Sequence, residues 1–339
     1  MYADAYFSDG SRWLEDQDDL QAHPWRFLTL LAVAATLALP LLNNRARAAE
    51  LSAQDAATQS PSRETRSTLD TVTINARREK EIKRQINKFV SGSVFTYLHD
   101  SLERWNKPVC PLVAGLPRER GEFILARVSQ IARDSNAPLG SEHCRPNLYI
   151  AVTDTPDLLL EKWSKRDRRM FNTCNGMGYV REFLHSRQPV RVFYNAKFSS
   201  GGSQRDASGL ELDGLHVDFE NECMASGAAG TRLSYGAIQE LTSVIIVVDS
   251  RQTTNRNMGQ LADYIAMVGL AHIRVEADTG TAPSILRLFR ESDPLPQGLS
   301  PWDAAFLHSL YATTQSSVLE VSMIKRRMFD QIVGSATVP

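Results

Sequence analysis

Apolar residues recur along this chain with two different periods, and the switches between them mark the expected elements. Residues 119–135 place Phe123, Ile124, Val128 and Ile131 at the three-to-four spacing of an amphipathic helix. Residues 147–153 (NLYIAVT) read as a strand. Thr155 and Pro156 then supply a cap and a first position for a helix running through residues 158–163. Residues 189–197 (PVRVFYNAK) form a further strand, residues 199–203 (SSGGS) a turn, and residues 214–219 another strand. Residues 243–249 (SVIIVVD) are apolar almost throughout, as expected of a strand buried on both faces. Helices are predicted over residues 258–270, from residues 284–289, from Ser300 to about Tyr311, and over residues 317–333. Ser300 can cap its helix, Pro301 suits the first position, and Asp303 can reach back to the cap. Upstream, Ile82, Ile86, Phe89, Val90, Val94 and Leu98 predict a helix over residues 77–102, interrupted at Ser91-Gly92-Ser93. Residues 71–75 (TVTIN) alternate like a short strand. The sum is an α/β (α+β) fold, a mixed sheet packed with helices in one main domain over residues 77–335.

What precedes that domain has a different character. Residues 27–42 (FLTLLAVAATLALPLL) carry no charge, but they are fewer than the roughly 20 apolar residues that a membrane span needs. Arg26 flanks them, and Ala46-Arg47-Ala48 follows as a small-x-small cleavage signature. Residues 1–48 are therefore expected to be a signal region, an acidic extension followed by a signal peptide over residues 24–48. An uncleaved N-terminal anchor is the alternative. The acidic residues before Arg26, and Arg45 and Arg47 after the apolar run, speak against a simple signal. Residues 49–76, small and polar over most of their length, are expected to be a flexible linker.

Charge narrows the partners. Net charge is −1 over 339 residues. Losing residues 1–48 removes four basic and six acidic residues and leaves +1. No global basic surplus points to nucleic acid. The four cysteines, Cys110, Cys144, Cys174 and Cys223, all follow the signal region, and an oxidising compartment would pair them. Of the three pairings, that of sequence neighbours, Cys110–Cys144 and Cys174–Cys223, is the expected one. A zinc site joining Cys144 to His143 lacks any supporting CxxC spacing. If the chain stays inside the cell, buried free thiols are the reading.

The predicted helix at 258–270 carries the chemical interest. Residues 262–272 read ADYIAMVGLAH. Against the metzincin pattern H-E-x-x-H-x-x-G-x-x-H, Asp263 fills the acidic position, Gly269 the glycine and His272 the third histidine. Ala262 and Ala266 stand where the first two histidines belong. The segment resembles a zincin metallopeptidase helix whose metal ligands have been lost. The ending GLSPWDAAFLHSLY is similar to the C-terminal part of zincin-like envelope proteins of unknown function. The resemblance spans residues 145–335 at fold level and eleven residues at motif level. It implies a zincin-like fold and a degenerate cleft. Two histidines four apart on a helix reach one zinc, and a catalytic zinc takes three protein ligands plus a water. With two alanines in place, no catalytic metal, cofactor or peptidase activity is expected. The plain alternative is that Ala262, Ala266 and Gly269 form a small-residue stripe that lets the helix pack closely, with Leu261, Ile265 and Val268 beside it.

Other groupings are weaker. His216, Asp218 and Glu220 alternate on one strand face near Asp213, and the common reading of such alternation is a solvated edge. Gly201-Gly202 belongs to no phosphate-binding motif, and no GxSxG elbow occurs. Tyr264 and Trp302 read as core, His185 and His308 as polar flanks. The expectation is an exported, periplasmic or otherwise envelope-resident protein without catalysis that binds a peptide, glycan or protein partner. A metal-dependent hydrolase rebuilt around His272 and Asp263, joined by His216 and Asp218, or a structural envelope protein, are the alternatives.

Overall fold

In a computed structural model, four strands pair into one sheet: β1 (Pro111–Ala114), β2 (Leu148–Thr153), β3 (Val190–Ser200) and β4 (Ala237–Asp249), the last three rich in β-branched and aromatic residues. The structure describes residues 64–94, 102–166, 171, 177–200, 237–274, 276–290, 294–315 and 319–335. The chain divides into two units, Met1–Asp70 and Thr71–Pro339, and all the described residues except 64–70 lie in the second. The spatial order is β1-β2-β4-β3. β1, β2 and β4 are parallel, with Leu148 opposite Val244 and Thr153 opposite Asp249. β3 runs antiparallel to β4, with a bulge between Asn195 and Ala196. The apolar run at 243–249 thus lies inside the sheet. Among the described residues β3 pairs only with β4.

Strand periodicity sorts the side chains onto two faces. Leu148, Ile150, Val190, Tyr194, Val244 and Ile246 enter the larger core. Phe193, Ile245 and Val247 face the other way, into a smaller cluster with Leu160, Phe171, Val180 and Phe183. Seven helices are described: α1 (Glu64–Ser93), α2 (Arg118–Asp134), α3 (Pro156–Arg166), α4 (Met177–His185), α5 (Met258–Leu270), α6 (Pro301–Ala312) and α7 (Glu320–Ser335). α2 and α5 cover the large-core face, and α3 and α4 the other. The mixed α+β architecture is as the periodicity predicts. α1 adds Ile86, Phe89 and Val90 to the large core, and Phe89 meets Phe306 of α6 edge-on at 5.9 Å.

Several local expectations are corrected. Residues 71–75 are helical, not a strand, and α1 begins at Glu64, inside the stretch expected to be a linker. A five-residue alternation gives way where helix formers flank it on both sides. α1 ends at Ser93, short of residue 102. Val94 instead bridges to Ile273. There Gly92 lies so close to the Asp278 carbonyl that a Cβ would sit 2.1 Å from its oxygen. β1 and α4 add elements that the pattern does not announce, and the strand expected at 214–219 lies outside the described residues.

Cys110 and Cys144 form a disulfide, as neighbour pairing predicts. Cys144 is therefore not a zinc ligand with His143. Cys174 and Cys223 lie outside the described residues. The bridge fastens the residue before β1 to the loop before β2, and Gly140 leaves room for it: a Cβ there would meet the Cys144 sulfur at 2.6 Å. It closes a loop of 34 residues in sequence separation. The chain-entropy model gives such a loop about 3–4 kcal/mol of stabilisation. Cys110→Ser with Cys144→Ser is expected to lower unfolding stability by about that amount in denaturant titration. A change below about 1 kcal/mol would mean that the bridge does not restrain the unfolded chain.

Candidate functional site

α5 starts with a reciprocal cap. The Asn257 side chain accepts the Gln260 N–H (2.8 Å), and the Gln260 side chain accepts the Asn257 N–H (3.0 Å). From Leu261 to Leu270 every residue except Tyr264 is buried. Ala262 and Ala266 have no exposed surface. They share a helix face with Gly269, where an added Cβ would press on the Leu148 methyls at 3.2 Å. The small-residue stripe packs α5 closely onto the sheet, and positions 262 and 266 open onto no cleft. Asp263 is a structural pin. It accepts Arg127 Nε of α2 at 2.5 Å and Nη2 at 3.2 Å, and the Leu299 N–H at 2.7 Å.

The other end of α5 holds a polar cluster that the sequence reading does not single out. The last carbonyls of a helix have no partner within it. Three aromatic side chains supply partners here. The Tyr194 hydroxyl of β3 donates to Val268 O (2.8 Å), Trp105 Nε1 to Gly269 O (2.8 Å), and the Tyr311 hydroxyl of α6 to Leu270 O (2.5 Å). The Tyr194 hydroxyl also accepts the Ile273 N–H at 3.2 Å. Burial raises the Tyr194 and Tyr311 pKa values above the ordinary phenol range, so both stay neutral donors. His272 follows directly. Its Nδ1 hydrogen-bonds Glu103 Oε2 at 2.5 Å, and its ring stacks on Tyr194 with centroids 4.0 Å apart. His272 is 4% exposed and Glu103 1%. The third-histidine position is thus enclosed in the core.

A shallow groove lies beside this cluster, along the β3 edge. Its walls include Tyr179 of α4, Val192 and Tyr194 of β3, Tyr264 and Val268 of α5, and Arg274. Residues from both the α4 side and the α5 side of the sheet line it. Burial pushes the Tyr264 pKa up to about 12, so this wall is a neutral phenol at any physiological pH.

The structure keeps the expected site residues apart. Asp263 is tied to α2 and the 298–299 loop, and His272 to Glu103 and β3, so the two belong to separate networks. Asp213, His216, Asp218 and Glu220 lie outside the described residues. Among the described residues no group of three His, Cys, Asp or Glu is placed to hold a metal. His308 meets Gln331, His185 ends α4 at the surface, and Trp302 packs on Phe89. No family model, curated protein or solved structure matches the chain.

Proposed function

We propose that this is an exported, non-catalytic envelope protein that binds an extended segment of a peptide or protein partner along the β3 edge. The observation that carries the reading is that β3, the last strand of the described sheet, borders a hollow lined by α4 and α5 residues. A hollow flanking a strand can take side chains of an extended segment laid beside it. The core position of Ala262, Ala266 and His272 argues for a binding role over a rebuilt hydrolase. Residence outside the cytoplasm is supported by the apolar run and cleavage signature of residues 24–48, and by the Cys110–Cys144 disulfide, a bond that persists in oxidising compartments.

The test is selection of the purified chain against a random extended-peptide library. Enriched peptides are then titrated against the parent chain and against Val192→Glu, which puts a charge into the half-buried groove wall. At least tenfold weaker binding by the variant, with unchanged circular dichroism, is the expected result. Failure to enrich any peptide, or equal binding by the two chains, would remove the proposal.

A further inference from the structure

The large core uses one face of α1, where Ile86, Phe89 and Val90 are fully buried. Residue spacing puts Arg77, Lys80 and Arg84 on the opposite face. Residues 77–88 hold six basic residues (Arg77, Arg78, Lys80, Lys83, Arg84, Lys88) and only Glu79 and Glu81 as acids, a local +4 in a chain of net −1. Both acids are engaged within the helix: Glu79 lies 3.9 Å from Lys83, and Glu81 2.8 Å from Arg84. Lys88 faces Asp278 at 3.8 Å. Arg77, Arg78 and Lys80 make no ion pair among the described residues, and residues 76–80 are exposed on every side of the helix. Lys83 lies over the Phe329 ring, 4.5 Å from its centroid, so Arg77, Arg78 and Lys80 are the cations left for another role.

We infer that this basic face of α1 docks on an anionic phospholipid surface, its cations meeting headgroup phosphates. Two features select lipid over other polyanions. Residues 76–88 contain no aromatic side chain, so a single-stranded nucleic acid finds no stacking platform. The apolar run of residues 27–42 lies upstream on the same chain and brings it to a bilayer, whether that run is later cleaved or retained. A basic residue close to an anionic membrane strengthens binding by about fivefold, and salt screens the effect. Three uncompensated cations then give roughly a hundredfold at low ionic strength. The inference is independent of the peptide-binding reading and holds if the β3 groove binds nothing.

The test is vesicle flotation of the full chain and of Arg77→Gln/Arg78→Gln/Lys80→Gln, which removes charge without breaking any ion pair described above. The apolar run is common to both chains, so their difference isolates α1. Vesicles containing phosphatidylglycerol should bind the parent chain roughly a hundredfold more strongly than the variant, and added salt should erase the gap. Phosphatidylcholine vesicles should bind both chains equally. Three results would overturn the proposal: equal binding by the two chains to the anionic vesicles, no preference of the parent chain for them, or cross-linking of Lys80 to the chain's own acidic residues 1–26 without any vesicle preference.

Discussion

Glu320→Ala is expected to destabilise the protein by about 3–5 kcal/mol, the typical cost of removing one partner from a buried ion pair. Arg104 and Glu320 are 4% and 1% exposed and bond directly. The Arg104 guanidinium also donates to the Leu310 and Thr313 carbonyls at the end of α6. One side chain thus binds the segment before β1 to the α6 terminus and to the first turn of α7. Burial pulls the Arg104 pKa down, and Glu320 opposes that shift. Without Glu320 a nearly dehydrated cation loses its counter-charge. Arg104→Ala should cost at least as much, because it strands the carboxylate and two helix-end carbonyls together. Replacing both, as Arg104→Met/Glu320→Leu, should recover much of the loss, since a well-packed apolar pair avoids desolvation. Denaturant unfolding of the three variants provides the measurement. A loss below about 1 kcal/mol for Glu320→Ala would be the behaviour of a surface pair and would refute the buried assignment.

That pair also shows where reading the sequence stops. Local signals carry well: the cap at Ser300 forms as expected, with the Ser300 side chain accepting the Asp303 N–H at 3.1 Å and Asp303 accepting the Ser300 N–H at 2.9 Å. The apolar run at 243–249 is central, and the Cys110–Cys144 pairing is the neighbour pairing. These rest on contacts within one element or on covalent geometry. β1 is only four half-buried residues and carries no period. The segment Leu102-Glu103-Arg104-Trp105 carries adjacent charges of opposite sign, which a local reading assigns to a surface. All four residues are buried, and the side chains of Glu103, Arg104 and Trp105 find partners 164 to 216 positions away. No window on the sequence holds that information. The same limit applies to 262–272: the pattern places an acid and a glycine correctly on a helix and a histidine just past its end, but which way each faces depends on α2, β3 and the 298–299 loop.

The decisive case is therefore His272, which a metal-site reading and a structural reading treat oppositely. A ligand side chain released from its metal would tolerate alanine with little loss of stability. In this core, His272→Ala should cost about 3–5 kcal/mol, because it leaves the Glu103 carboxylate buried without its partner and removes the ring stacked on Tyr194. Glu103→Ala should cost a similar amount through the hydrogen bond lost by the buried imidazole and the cavity. The pair acts as a unit, so the double alanine variant should lose clearly less than the two single losses added together, a coupling of about 1–3 kcal/mol. Tyr194 extends the unit. Its hydroxyl spans the Val268 carbonyl and the Ile273 N–H on either side of His272, so Tyr194→Phe should cost about 1–3 kcal/mol through the groups left unpaired. Additive losses for His272 and Glu103 would mean that the two do not act through one another. A His272→Ala chain as stable as the parent would return position 272 to the list of ligand candidates.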